Sequence, residues 1–224
     1  MKVLDRVLEV GLYAAVIALL GIVIYAGYRF THKPLIAITN PSDSNKLSPV
    51  VRLTTPDGRT FCTGTVVNPN TIVTAAHCVV QELAPGTGFM IVAQGINIRA
   101  VDGKDLGIST VTVFASPQMD TAILEGDFRL FEPRAMITDV TKLTEIVSKG
   151  AVFTSCGYPL SGPLYCSKTK YIGRINFMWL VSGVLLPGMS GGPTMLEDGT
   201  VVAINDAVTG EFSVVVPTYN LPIR

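Results

Sequence analysis

Hydrophobicity along the chain changes character three times. From Val10 to Tyr28 no charged residue interrupts a 19-residue run of Leu, Ile, Val, Ala, Gly and Tyr. As a helix rising about 1.5 Å per residue, this run covers about 30 Å, the thickness of a bilayer core. From Thr31 to Ser48 the chain turns polar, with Pro34, Pro41 and the stretch Ser42-Asp43-Ser44-Asn45. That composition predicts a tether with no packed core of its own. Beyond it, short β-branched and apolar runs alternate with clusters of Gly, Pro, Asn and Asp. They predict strands over Val50–Leu53, Thr60–Val67, Thr71–Ala75, Phe89–Ala93, Thr110–Ala115 and Thr121–Leu124, then over Ala151–Ser155, Leu164–Ile172, Val201–Asn205 and Glu211–Val216. Val140–Ser148 reads as a helical or extended connector. Many short strands with turns between them, and no amphipathic helices interleaved, predict an all-β sandwich or barrel.

The apolar span has two rival explanations. A buried core helix would carry polar positions at helical spacing, and this run has none. A cleaved signal peptide would have a shorter apolar region and a small-x-small exit, whereas this span leaves through Tyr25-Ala26-Gly27-Tyr28-Arg29-Phe30. The expectation is an uncleaved single-pass anchor over residues 1–30 that meets lipid through residues 7–28, with Tyr25, Tyr28 and Arg29 in the interfacial belt. Charge does not orient it, because Lys2 and Arg6 on one flank balance Arg29 and Lys33 on the other.

Composition adds exclusions. With 224 residues, 48% hydrophobic content and mean hydropathy +0.45, the chain is long enough for one sizeable domain and too apolar to be disordered. Basic and acidic residues balance at 17 each, and no basic patch with interleaved aromatics gives nucleic acid a footing. Four cysteines without a C-x-x-C pair, and only two histidines, argue against structural zinc.

Chemistry concentrates in Pro187-Gly188-Met189-Ser190-Gly191-Gly192-Pro193-Thr194. Glycines at 188, 191 and 192 free the backbone for φ > 0 and close approach, so this is either an ordinary Gly/Pro surface turn or a turn presenting a nucleophilic hydroxyl. In the second case the N–H groups of Gly188 and Ser190 can form a two-donor hole for an oxyanion. Serine needs a base near neutrality. His32 borders the apolar span, whereas His77 ends the strand-like run Thr71-Ile72-Val73-Thr74-Ala75-Ala76, whose alanines leave space beside the imidazole. His77 is the candidate base.

Thr74-Ala75-Ala76-His77-Cys78, Phe61-Cys62-Thr63-Gly64-Thr65-Val66-Val67 and Gly188-Met189-Ser190-Gly191-Gly192-Pro193 together resemble the signature segments of trypsin-like serine proteases with the chymotrypsin fold, in that family's order. The resemblance covers roughly Pro49 to the C-terminus. Gly199-Thr200-Val201-Val202-Ala203-Ile204-Asn205-Asp206 and Cys156-Gly157-Tyr158-Pro159-Leu160 are similar to the bacterial high-temperature-requirement (Deg-type) branch. The family places its triad aspartate between histidine and serine. Of Asp102, Asp105, Asp120, Asp127 and Asp139, the best fit to its pattern is Asp120-Thr121-Ala122-Ile123-Leu124, with Asp127 as runner-up.

The resemblance implies two six-stranded antiparallel β-barrels, about 49–140 and about 150–224, preceded by the anchor (1–30) and the tether (31–48). It implies a disulfide between Cys62 and Cys78; Cys156 and Cys166 are expected to cross-link a hairpin, with free buried thiols as the alternative for both pairs. Disulfides persist outside the reducing cytosol, so the catalytic domain is expected to be extracytoplasmic. The specificity pocket is expected along Val184, Leu185, Leu186, Ile204, Asn205 and Asp206, giving an apolar preference unless the Asp206 carboxylate points into it. Met189 stands where relatives activated by cleavage carry an aspartate, so no zymogen cleavage is expected, and no appended peptide-binding domain is expected after the last strand. The predicted activity is serine endopeptidase hydrolysis of polypeptides through His77, Asp120 and Ser190, without cofactor or metal. An inactive, membrane-tethered binding module of the same fold is the alternative. A lipase or esterase would place its histidine after the serine, the reverse of the order here.

Overall fold

The computed structural model describes residues 48–84, 88–91, 97–99, 112–116, 119–160, 162–209 and 212–221. The apolar span and most of the tether lie outside these residues, as do the candidates Asp102 and Asp105. Among the described residues no helix is long and apolar enough to cross a membrane.

Period-two alternation of β-branched and small residues builds the first half. Its strands are β1 (Val50–Thr54), β2 (Thr60–Asn68), β3 (Thr71–Thr74), β4 (Val80–Ala84), β5 (Gly88–Ile91), β6 (Asn97–Arg99), β7 (Thr112–Ser116) and β8 (Thr121–Glu125). Six of them form one antiparallel sheet in the order β6-β1-β2-β3-β8-β7, and β4 and β5 form a separate hairpin. Val51, Leu53, Val66, Ile72, Ile98, Leu124, Phe128 and Phe131 fill its core, all at most 1% exposed. Gly64 of β2 is needed here, because a Cβ on it would lie 2.7 Å from an Ile72 methyl.

A linker then leads to the helix α1 (Val140–Ser148). The sequence left helix and extended connector open at this position. Asp139 settles it by capping the first turn, its carboxylate accepting the N–H groups of Thr141 and Lys142 at 2.7 and 3.0 Å. Leu143 is fully buried, and Ile146 and Val147 pack against the second core.

The second half contains β9 (Val152–Gly157), β10 (Tyr165–Ile175), β11 (Met178–Ser182), β12 (Pro193–Met195), β13 (Val201–Thr209) and β14 (Phe212–Pro217). These close into a barrel in the order β10-β11-β14-β13-β12-β9. Phe153, Trp179, Val181, Val202 and Val215 form its interior. Of the two expected barrels the second is closed, and the described residues of the first form a six-stranded sheet. Closure requires a ladder between edge strands. Among the described residues β6 spends its three residues on β1, and no ladder joins β6 to β7. Short strands such as β4, β6, β11 and β12 escaped the sequence pattern.

Two disulfides are present, Cys62–Cys78 and Cys156–Cys166. The second links residues directly opposite on β9 and β10. A third apolar cluster, Val73, Val201, Ile204 and Leu221, packs strands of one half against the other, with Val67, Met136 and Met195 around it.

The Cys62–Cys78 bridge closes a loop with a sequence separation of 16. Replacing both cysteines by alanine is expected to lower stability by about 3 kcal/mol from lost loop constraint. Urea denaturation of the two forms, compared at equal slope, checks it.

Candidate active site

One buried threonine makes four hydrogen bonds, three of which join the two halves at the serine turn. Thr63 of β2 donates its main-chain N–H to the Ser190 carbonyl at 2.8 Å and its hydroxyl to the Gly188 carbonyl at 2.8 Å. The same hydroxyl accepts the Tyr158 N–H at 2.8 Å, while the Thr63 carbonyl accepts the Thr74 hydroxyl at 2.8 Å. Thr65, two residues on along the same face, donates to the Gly191 carbonyl at 3.1 Å. The turn they hold needs its glycines. Gly188 has φ +95 and would place a Cβ 2.6 Å from the Tyr158 carbonyl oxygen; Gly191 has φ +84 and would place one 2.1 Å from the Thr63 carbonyl oxygen. Among the described residues the N–H groups of Gly188 and Ser190 have no acceptor.

His77 sits in the 3-10 turn Ala76–Cys78 that follows β3. Ala75 and Ala76 are buried, and the disulfide ties Cys78 back to β2. The His77 main-chain N–H donates to Asp120 Oδ1 at 2.8 Å, and Nδ1 lies 2.6 Å from Asp120 Oδ2. Asp120 reaches back from the turn before β8 with φ 46, a left-handed conformation that aspartate tolerates better than most residues. Asp206 adds a second carboxyl: its Oδ1 is 3.7 Å from His77 Nδ1, and one of its oxygens lies within 4.8 Å of an Asp120 carboxylate oxygen.

The electrostatics separate the two acids. Burial acts to raise Asp120, but hydrogen bonds from His77 and Asp206 and the imidazole's charge outweigh it and hold the carboxyl at about 2. Burial, then the bond to Asp120 and its charge, push Asp206 up to about 8. The Asp120 hydrogen bond, helped by that carboxylate's charge, raises His77 above its ordinary value against partial desolvation. A proton on Nδ1 directed at Asp120 leaves Nε2 as the accepting nitrogen. The half-buried Ser190 donates its hydroxyl to the Asp206 main-chain oxygen at 2.7 Å, and no hydrogen bond joins it to His77. His77, Asp120 and Asp206 each bring a ligating atom within 4.8 Å of the others. Those atoms are engaged with one another, and the other cysteine–histidine grouping is consumed by the disulfide.

Several expected residues lie elsewhere. Asp127 pairs with Arg129 in an exposed turn, and Asp139 caps α1. Along the expected pocket, Val184 is exposed and Leu186 half-buried, but Leu185 is packed into the second core. Ile204 is buried in the cluster between the halves. Asn205 is buried too, its amide donating to the carbonyls of Cys156 at 2.8 Å and Met189 at 3.4 Å and its oxygen accepting the Thr194 hydroxyl at 2.8 Å. The Asp206 carboxyl faces the imidazole. These four are therefore not an open wall: strand alternation turns Ile204 and Asn205 into opposite cores, and a bulge re-aims Asp206. Thr63, Thr65 and Asn205 were not singled out for roles in holding this turn. Hydroxyls on inward strand positions were the available signal for the two threonines.

The sequence pattern of the trypsin-like peptidase domain family matches residues 62–204. Trypsin from Saccharopolyspora erythraea is 63% identical over 61 residues, which span 27% of this chain and 22% of that protein. Among solved structures, a variant of the HtrA-type protease AlgW with a decapeptide superposes with TM-score 0.54 at 16% identity, over 71% of this chain and 48% of that one. The active form of the Rv3671c protease from M. tuberculosis gives TM-score 0.54 at 19% identity, over 75% and 74%. At these identities the structural likeness establishes the fold.

Thr63→Val keeps the shape but orphans the buried Gly188 carbonyl and Tyr158 N–H. The expected cost is about 2 to 6 kcal/mol, from about one to three per stranded group. Calorimetry on the variant, with Thr63→Ser restoring most of the loss, checks it.

Proposed function

The chain belongs to the trypsin-like peptidases, and we propose that it is a serine endopeptidase whose catalytic triad is His77, Asp120 and Ser190. The observation that carries this is the imidazole clamped on Asp120 through both its ring and its main-chain N–H, beside a serine turn whose two N–H groups are uncommitted. Asp120 orients the ring and stabilises the imidazolium that forms. Ser190 leaves the Asp206 carbonyl by rotating its hydroxyl toward Nε2, which takes the proton as Oγ attacks the peptide carbonyl. Catalytic hydrogen bonds often tighten only once substrate is bound. The Gly188 and Ser190 N–H groups hold the oxyanion, His77 returns the proton to the leaving amine, and water repeats the sequence on the acyl-enzyme.

Finer features follow from individual residues. Met189, wholly buried in the second core, holds the turn by packing, which supports a site that assembles without proteolytic activation. Val184 and Leu186 present apolar surface beside the turn. The Asp206 carboxyl, turned to His77, brings no negative charge to that side. We therefore assign a preference for small or medium apolar side chains before the scissile bond. The uncharged run from Val10 to Tyr28 supports a membrane anchor with the catalytic domain on the extracytoplasmic side, where both disulfides persist.

Ser190→Ala is expected to lose about 10⁴- to 10⁶-fold in kcat and all labelling by a fluorophosphonate probe. If the wild type is not labelled, the triad assignment fails. In membrane fractions the full chain is expected to resist carbonate extraction, and a variant lacking residues 1–30 to be released; equal release of both would remove the anchor.

A further inference from the structure

Asp206 is the titratable side chain of this site that acyl transfer leaves without a task. It lies in a bulge of β13, where Asn205 pairs with Val215 and Ala207 with Val214, so the residue between falls out of the ladder. The bulge turns both of its polar groups inward. The main-chain oxygen accepts the Ser190 hydroxyl at 2.7 Å, and the carboxyl, on a side chain 7% exposed, lies 3.7 Å from His77 Nδ1 with an oxygen within 4.8 Å of an Asp120 carboxylate oxygen. Two carboxyl groups thus face one imidazole nitrogen.

A buried carboxyl this close to a half-buried one cannot share its charged state without a large penalty, so one of the two holds a proton. The donors around them decide which. Asp120 already accepts the His77 main-chain N–H at 2.8 Å and sits 2.6 Å from Nδ1, so its anion is well solvated by the protein. The Asp206 oxygen is beyond hydrogen-bonding distance of Nδ1. We propose that Asp206 is a positioning residue that keeps its proton through the neutral range and donates it to Asp120, steadying the carboxylate that orients His77, and that losing this proton switches the site off on the alkaline side.

This inference rests on the triad assignment above. The groups facing Asp206 are Asp120 from the turn before β8, His77 from the 3-10 turn and the Ser190 hydroxyl from the turn before β12. No lysine or arginine among the described residues acts on it. Because its proton affinity is raised, the neutral form persists until pH climbs through about 8. Above that, a second negative charge repels Asp120 and holds His77 protonated, so the general base is withdrawn. The expected profile of kcat/KM is a bell whose rising limb belongs chiefly to His77 and whose falling limb belongs to the Asp120–Asp206 pair.

The test is kcat/KM against pH for the full chain as wild type, Asp206→Asn and Asp206→Ala. Asparagine keeps an N–H donor and cannot ionise, so that variant is expected to be a few-fold slower at neutral pH and to lose the falling limb. Alanine offers no donor and is expected to lose about 10- to 100-fold in kcat with KM little changed. A falling limb unchanged in Asp206→Asn, or equal profiles for the two variants, overturns the proposal. If neither variant folds, the wild type labelled with ¹³C at aspartate carboxyls decides. One carbon titrating at about pH 8 is expected, and none between about pH 6 and 10 refutes the idea. A wild type inactive and unlabelled by fluorophosphonate at every pH is a separate result: it removes the triad assignment and this inference together.

Discussion

The buried hydroxyl of Thr63 is the constraint on which the site depends. A chymotrypsin-like arrangement must place a base from one sheet and a nucleophile from another in register to within a fraction of an ångström, and apolar packing alone does not set such a register. The cluster of Val73, Val201, Ile204 and Leu221 brings the halves together. Directional bonds between Thr63 and Ser190, Gly188 and Tyr158 then specify how, with Thr74 holding the Thr63 carbonyl from its own side. Each is buried, so each broken bond would strand a polar group away from water.

The glycines of the serine turn follow from that closeness. Main chain from β2 and from the segment after β9 lies against the turn where any side chain would collide. The outcome is a peptide run whose carbonyls are consumed by Thr63, Thr65 and Asn205, while the N–H groups at 188 and 190 have no acceptor among the described residues, as the proposed oxyanion hole requires. Preorganisation here means donors aimed before the charge exists, at no later reorganisation cost.

Charge in the site is arranged by the same scaffold. Asp120 gathers the available donors and stays an anion, so Asp206, deprived of them, becomes the acid that keeps its proton. One strand bulge produces this difference by turning Asp206 out of the ladder at the point where β13 passes the imidazole.

The sequence by itself determined the β class, the order of histidine, aspartate and serine, and the Asp120 candidate, because these reside in local patterns: period-two runs, an acid at the head of a buried strand, a glycine-flanked hydroxyl. It also carried the Val140–Ser148 boundaries, although not the choice between helix and strand, which the Asp139 cap reveals only in the structure. Tertiary structure alone decided that the second half closes into a barrel, that Ile204 and Asn205 pack inward rather than wall a pocket, and that Asp206 faces His77. Each of these depends on a bulge, an edge pairing or a bond between residues more than a hundred positions apart. Such features are set by the three-dimensional balance of buried polar groups, and a linear pattern of side-chain types does not encode which partner each group will find.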